Sequence, residues 1–470
     1  MTMTENIRMG KMVRRRIVRA AVALLGIAWM TAGATDTAAQ NSTASPYSIY
    51  GVGTLMQKED ATSTGMGHAG LALSPSKWLN VSNPAGIGNL DTLSFYFNFQ
   101  LRGFYAHNET WNEQQSVYSG NIDGIAMGFR ARKWLGIAFG YAPVSGIGYN
   151  LKELRSVQGA NDEYYIKASG QGGLQQAYLT GAFTPVKGLT IGASLRMLWG
   201  SIKHKEIAEL STTGGEDMVN ERKYTLNNLD YELGIQYGAT FGKNTVRVGA
   251  VFSDKRFLHQ SYDHDASNAI VSNLMHDDDT PLRNDFYMPR SYGVGLSYSR
   301  GRLLGAIDYK KMEWSKTKPI VHGENISYKD CYSIGGGLQF SAGNPNDPFY
   351  KRIQYRVGYY YATNYIKLHE GTIRIPNTTD GTWSNGEFIP NNGSASYYYF
   401  DTGRSENYLA EKTFTLGFSV PVGRSANILT FAFERTERGT EKHELASEKI
   451  NVIKLAFTVH ETWFMKSKFD

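Results

Sequence analysis

The sequence predicts an all-β chain, a transmembrane antiparallel β-barrel of about fourteen strands with an N-terminal hatch, or plug, inside the lumen. Three observations predict it. Residues 94–102 alternate strictly, with Phe95, Phe97, Phe99 and Leu101 on one face and Ser94, Tyr96, Asn98, Gln100 and Arg102 on the other. The same pattern returns down the chain, separated alternately by short turns and long polar stretches. A secretion signal comes before all of it. Side chains on a strand alternate faces, so each segment has one apolar wall and one polar wall. An arginine and amides on the polar wall suit a wet interior better than a packed core. Composition allows this: mean hydropathy is -0.38 and aromatics make up 13%. Only alternate residues of a barrel strand face lipid, so the hydropathy signal is diluted.

The N-terminus comes first. Arg14, Arg15, Arg16 and Arg19 precede an apolar run from Ala20 to Met30, and Thr37-Ala38-Ala39 offers small residues for cleavage. This predicts a signal peptide over 1–39 and rules out an anchor, because the run is too short to span. No cysteine follows, so a lipidated N-terminus is not expected. Residues 1–39 hold six Lys+Arg and two acids, so the formal +6 falls to +2 in the mature chain. The pI near 9.0 therefore gives no argument for nucleic acid. Cys331 stands alone and is expected to be a buried or barrel-wall thiol.

Residues 40–92 do not alternate. A lumen of about fourteen strands would leak unless filled, so this segment is expected to be the hatch, entering from the periplasmic side. Within it, Gly65-Met66-Gly67-His68-Ala69-Gly70 matches a dinucleotide-binding fingerprint, with Asp91 downstream. That fingerprint needs a strand before it and a crossover helix after it. Neither is present, so tight turns are the expected role of Gly65 and Gly67. Asn83-Pro84-Ala85-Gly86 is the second cluster and the expected gating element.

The strands follow, near 93–104, 121–131, 134–145, 172–184, 188–200, 223–241, 244–253, 288–299, 302–313, 329–341, 351–363, 410–421, 426–437 and 449–460. The clearest outward faces are Leu189 to Trp199, Ile353 to Tyr361, Phe414 to Val420 and Ile453 to Val459, each taken at every second residue. Short turns at Arg132-Lys133, Pro185 to Lys187, Gly242-Lys243, Arg300-Gly301 and Val422 to Ser425 alternate with long connections near 105–120, 146–171, 201–222, 254–287, 314–328, 364–409 and 438–448. Outer-membrane barrels keep short turns periplasmic and long loops external, so both chain ends belong in the periplasm. The barrel is expected over 93–460, with a periplasmic tail over 461–470. Trp134, Trp199, Tyr309 and Trp314 are expected in the interfacial girdles.

Chemistry-bearing clusters are few. Asp263, His264, Asp265, His276 and Asp277 to Asp279 share one long loop. Carboxylate oxygens suit calcium, but no ligand spacing repeats, so a solvated loop is expected and no metal or cofactor is assigned. No G-x-S-x-G or H-E-x-x-H occurs, and the reading is that the chain is not an enzyme. Tyr397 to Phe400 in the longest loop fit either a hydrophobic grip or an interfacial cluster. By parity Arg102, Arg196, Arg247, Arg356 and Lys454 face the lumen, with Glu232, Asp308 and Glu434. They are expected as ion pairs, with one arginine able to take a ligand carboxylate in its bidentate fork. Arg356 leads the ligand-binding candidates, with Tyr360 beside it, followed by Arg102, Arg196 and Arg247.

Ala61 to Gly70, then Trp78-Leu79-Asn80, then Asn83-Pro84-Ala85-Gly86 resembles the hatch of the FadL/TodX-like family. Met288-Pro289 before a glycine-rich strand, then Asp308 and Trp314, is similar to that family's mid-barrel pattern. Two departures stand out: Ser74-Pro75-Ser76-Lys77 replaces an acidic position, and the last strand is followed by Glu461 to Asp470. The resemblance implies passive outer-membrane transport of hydrophobic small molecules such as long-chain fatty acids. It implies as partners such a ligand, outer-membrane lipid and the barrel assembly machinery, and a monomeric state. Related hatch-bearing barrels imply an alternative, a scaffold or cargo shuttle of a protein secretion system.

Overall fold

A computed structural model describes residues 43–92, 94–110, 114–156, 163–209, 217–266, 286–317, 326–343, 347–368, 373–376, 381–384, 387–390, 397–400, 409–422, 427–440 and 446–462. The expected signal peptide and most of the C-terminal tail lie outside them. So do His276 and Asp277 to Asp279.

Fourteen antiparallel strands close on themselves. They are β1 Ser94–Glu109, β2 Gln114–Arg132, β3 in two runs (Leu135–Pro143 and Ser145–Ser156), β4 Glu163–Val186, β5 Leu189–Glu209 and β6 Met218–Phe241. Next come β7 in two runs (Asn244–Ser253 and His259–Ala266), β8 Ser291–Arg300, β9 Leu303–Met312 and β10 Cys331–Ser341. The last are β11 Gln354–Ala362, β12 Glu411–Val422, β13 Asn427–Arg438 and β14 Ser447–Thr462. Closure runs from β1 to β14, with Ser94 opposite Thr462 and Glu109 opposite Ser447. Every barrel strand then has neighbours, and the unpaired edge of an open sheet disappears.

The alternation sets which face is which. Phe99 lies opposite Phe457 while Gln100 and Asn98 turn inward and are buried. Ile191, Leu195 and Met197 on β5, Tyr355, Val357 and Tyr359 on β11, and Phe414, Leu416 and Phe418 on β12 are all exposed on the outside. A one-residue slip would invert each series, so the apolar band pins the register. The turn after β4 needs Gly188, whose φ of 91° suits glycine and whose added Cβ would lie 2.4 Å from the Gly238 carbonyl oxygen.

Several boundaries differ from the sequence reading. The expected loops 105–120, 146–171 and 201–222 are largely strand, because β4 and β6 run for 24 residues and β5 for 21. A membrane crossing needs only about 9–11 residues. Beyond the lipid the ladder hydrogen bonds continue without an apolar face, which is the feature the alternation signal depends on. Part of the expected loop 254–287 also pairs, since His259–Ala266 lies against Asn220 to Asn227. Tyr397–Phe400 pairs with Ile373–Pro376. Trp314 is a further correction. It is fully buried rather than interfacial, because β9 ends at Met312 and the 3₁₀ turn Trp314–Lys316 packs into the cluster holding Tyr328, Cys331 and Tyr365. Trp134 is exposed and Tyr309 borders on it.

Candidate functional site

Residues 43–92 touch the inward-facing side chains of strands all round the barrel and so lie within its lumen. The segment runs from the long-loop end toward the short-turn end, so its described start, Ala44 to Tyr47, lies at the external end and not at the periplasmic side expected from the sequence. At the start, the Ala44 carbonyl accepts from Asn108 Nδ2 at 2.6 Å, and Arg438 Nη2 donates to Ser45 Oγ at 2.9 Å. Tyr47 Oη donates to the Ala446 carbonyl at 2.8 Å and accepts from its N–H at 2.9 Å. Arg438 is locked in turn by Glu448 and by Glu411 at 2.6 Å. The two residues Thr54–Leu55 pair with Gly146 and Ser145, and the Met56 N–H reaches the Val144 carbonyl where β3 is interrupted. At the far end, residue 92 leads into β1 at its short-turn end.

In mid-segment, Asp60 caps the helical turn Ala61–Thr64 by accepting from the Ser63 N–H at 3.1 Å. Gly67 and His68 then both take positive φ, 65° and 62°, and His68 is the one such non-glycine among the described residues. This turn presses on the wall. A Cβ on Gly358 would stand 2.2 Å from the Gly67 nitrogen, and one on Gly335 2.0 Å from its oxygen. Asp308 Oδ2 accepts from the N–H groups of both Gly70 and Leu71, each at 2.7 Å. The Gly-x-Gly-x-x-Gly motif therefore turns tightly at Gly67 and, beyond what the sequence reading expected, makes a close backbone approach to β10 and β11.

Asn83 starts the 3₁₀ turn Pro84–Asn89. Its Oδ1 accepts from the Ala85 N–H at 2.9 Å, while its Nδ2 donates to the Leu71 carbonyl at 2.9 Å and the Ala250 carbonyl at 3.3 Å. Pro84 presets φ and biases Asn83 away from helix, and Asn83 is indeed extended at φ -132°. Gly192 of β5 and Gly234 of β6 make room for this turn.

A cavity of about 230 Å³ remains between segment and wall. Its apolar lining includes Leu55, Leu71, Leu198, Met288 and Tyr365, and its polar lining includes Lys58, Arg196, Glu232, Lys310 and Tyr360. Lys58 meets Glu232 at 2.5 Å, and Arg196 binds Asp230 and lies 3.7 Å from Glu232. Gln57 bridges Tyr360 Oη and Lys310, both at 3.1 Å. A second cavity of about 100 Å³ is lined by His68, Arg102, Asp123, Glu434 and Lys454. Lys454 lies 3.2 Å from Asp123, 3.5 Å from Glu434 and 3.7 Å from Glu59. Burial disfavours the Glu59 carboxylate, but the hydrogen-bonded His68 ring and then Lys454 outweigh it and hold its pKa at about 2. Burial, only partly offset by the Ser63 N–H, pushes Asp60 up to about 6.

The candidate residues separate here. Arg196 and Tyr360 line the larger cavity, and Arg102 the smaller. Arg356 is inward and 4% exposed but lines neither. It donates to Gln339 at 2.8 Å, Gln354 at 2.7 Å and Ser419 at 2.6 Å. Arg247 lies at the short-turn end and reaches Asn89 at 2.7 Å when that amide oxygen accepts. Sequence reading missed Lys58, Glu59, His68 and Lys310. It also missed Asp123, which faces the lumen because a bulge opposite Gln100/Leu101 shifts the parity of β2. For Glu59 the available signal was a charged triplet, Lys58-Glu59-Asp60, inside a segment otherwise full of small residues.

A model of the BamG family matches residues 19–382 and 403–470. The chain belongs to the BamG family. No curated protein matches it. Among solved structures, the toluene transporter TbuX of Ralstonia pickettii has a TM-score of 0.54 at 15% identity, covering 86% of this chain and 98% of its own. A FadL homologue of Pseudomonas aeruginosa scores 0.54 at 11% identity, covering 86% and 99%. The toluene transporter TodX of P. putida scores 0.52 at 13%, covering 87% and 100%. The fold is thus the FadL/TodX-like barrel that the sequence resemblance implied. These neighbours are transporters and channels, not enzymes, and the BamG chain is an outer-membrane protein.

Proposed function

We propose that this BamG-family barrel moves hydrophobic small molecules, such as long-chain fatty acids, passively across the outer membrane. The cavity carries the reading, since it sets an apolar wall of Leu55, Leu198 and Met288 beside the charged Arg196 and Lys310. An amphiphile matches such a mixed lining. Gating falls to the hatch over 40–92, with Asn83, Pro84, Ala85, Gly65 and Gly67 as its hinge and contact points. A barrel has no energy source of its own, so a gradient drives transport. Of the ligand-binding candidates, Arg196, Arg102 and Tyr360 adjoin cavities, Arg196 while paired with Asp230, whereas Arg356 and Arg247 adjoin amides and hydroxyls away from the larger cavity. The partners in this reading are the ligand, surrounding lipid and the barrel assembly machinery, and the working form is a monomer.

The test is uptake of a labelled fatty acid and of an uncharged hydrocarbon of similar length. Arg196→Ala is expected to weaken acid binding about tenfold or more, the worth of a charged hydrogen bond, and to spare the hydrocarbon. Equal uptake by cells with and without the protein would end the proposal.

One observation favours a second reading, a scaffold or cargo shuttle of a secretion system. Strands β4 to β6 extend far past the length a membrane requires. Such an extension offers a platform to protein, and stoichiometric co-purification of a protein partner would favour it over transport.

A further inference from the structure

Strand β7 breaks between Ser253 and His259. Opposite the break, β6 has no ladder partner on that side from Asn228 to Glu232. The position is the external edge of the apolar band. On β5 the outward series Ile191, Leu195 and Met197 passes Trp199 and gives way to Lys203, and on β6 Leu233 and Leu229 give way to Asn227 and Lys223. The residues looped out of β7 fold over the outer face. They border a shallow, open groove of about 380 Å³ with Leu195 and Leu229 as floor and Asp230, Tyr231, Lys255, Arg256 and His259 around it.

The charges here are unevenly matched. Arg256 lies 4.0 Å over the Tyr231 ring and approaches Asp230 only at 3.6 Å, while Asp230 is already bound by Arg196. Asp254, the other carboxylate at the break, is held by Arg290 at 2.9 Å. Lys255 sits 4.1 Å over the Tyr287 ring and donates to the Lys316 carbonyl at 3.5 Å, which leaves further ammonium protons for a ligand. Among the described residues, neither Lys255 nor His259 has a carboxylate within ion-pair distance. A guanidinium, an ammonium and an imidazole thus surround an apolar floor at the level where lipid head groups begin.

We propose that this groove binds the phosphate-bearing head group of an outer-leaflet lipid, with one acyl chain lying along Leu195 and Leu229. The floor opens outward to the bilayer, so its occupant comes from the membrane. The one carboxylate in the described lining, Asp230, is paired with Arg196, so the rim keeps a net positive charge and the complementary head group is anionic. Arginine and lysine over aromatic rings are pre-positioned to donate to phosphate oxygens. A soluble phosphate would match the rim but leave the floor unfilled.

The test is native mass spectrometry of the purified full chain in detergent, titrated with a phosphorylated disaccharide glycolipid and with its phosphate-free analogue bearing the same acyl chains. The phosphorylated lipid is expected to bind about tenfold tighter or more, the worth of a charged hydrogen bond. Lys255→Gln and His259→Gln, both at exposed positions, are each expected to weaken it several-fold. Lys243→Gln, in the turn at the opposite end, is expected to change nothing, and heat-modifiable gel migration confirms that each variant is an assembled barrel. Equal binding of the two lipids, or unchanged binding in both Lys255→Gln and His259→Gln, would overturn the proposal. Displacement of the lipid by inorganic phosphate alone would also overturn it, because the site would then be one for a free anion.

Discussion

The wall and the lumenal segment satisfy their backbones in opposite ways. Each barrel strand hydrogen-bonds to neighbouring backbone, so its side chains are left free to divide between lipid and lumen. Residues 43–92 have almost no ladder of their own, and wall side chains supply the missing partners. Asp308 takes two N–H groups, Thr415 Oγ1 takes the Gly67 N–H, Gln236 donates to the Leu71 and Leu73 carbonyls, and Ser297 donates to that of Ala72. Wall order therefore rests on a periodic pattern and tolerates many single changes. The order of the segment rests on a few named contacts and does not. Unpaired buried backbone groups are costly, which is why polar residues line the inner wall at these places.

That contrast can be broken from the segment side, and the largest effect is expected at a glycine contact. Gly358→Val places atoms where the Gly67 nitrogen stands. The barrel should still assemble, since this strand position tolerates a β-branched residue, but the segment must leave. Planar-bilayer recordings should then show conductance well above wild type. A closed, assembled Gly358→Val barrel would mean that the segment can re-seat without this contact.

Asp308→Ala is expected to come next. It strips two charge-assisted hydrogen bonds from Gly70 and Leu71, for a loss of about 3 kcal/mol. Hydrogen exchange should accelerate over 66–73 and remain slow in β8 and β9. Uniform acceleration through the wall would show that the two regions are coupled rather than separable.

The pH response of Asp60 is a smaller test. Its carboxyl is held at about 6, against an ordinary value of 3.8. The raised value favours the protonated docked form, so this contribution is full below about pH 4 and is lost as pH rises through 6. Segment protection should fall by on the order of 2 kcal/mol across that window. Asp60→Asn should remove the fall, and an unchanged profile in that variant would assign it to another group.

Tyr365→Phe is expected to be mildest. The hydroxyl serves the Gly53 carbonyl at 2.8 Å and the Tyr50 carbonyl at 3.1 Å, yet donates only one proton. A loss of about 1 kcal/mol is expected, read as faster exchange over 50–53 alone.

The sequence by itself determined the wall. Alternation from Phe95 onward, the short turn at Pro185 to Lys187 and the short-long rhythm of the connections were enough for about fourteen strands, their facing and the inward parity of Arg196, Arg356, Lys454 and Asp308, because lipid imposes a period-two pattern on every crossing. The tertiary structure alone decided what those inward groups do. Arg356 and Arg196 look alike by parity, but one is held by the neutral Gln339, Gln354 and Ser419 away from the cavity, and the other is ion-paired with Asp230 at the cavity wall. Asp123 reaches Lys454 only through a bulge, and Trp314 leaves the girdle because β9 stops two residues before it. His68 meets Glu59 within its own segment and Glu434 across the lumen at 3.9 Å. Contacts such as Asp123 with Lys454 and His68 with Glu434 join residues hundreds of positions apart with no repeat behind them, so no local pattern in the chain could have announced them.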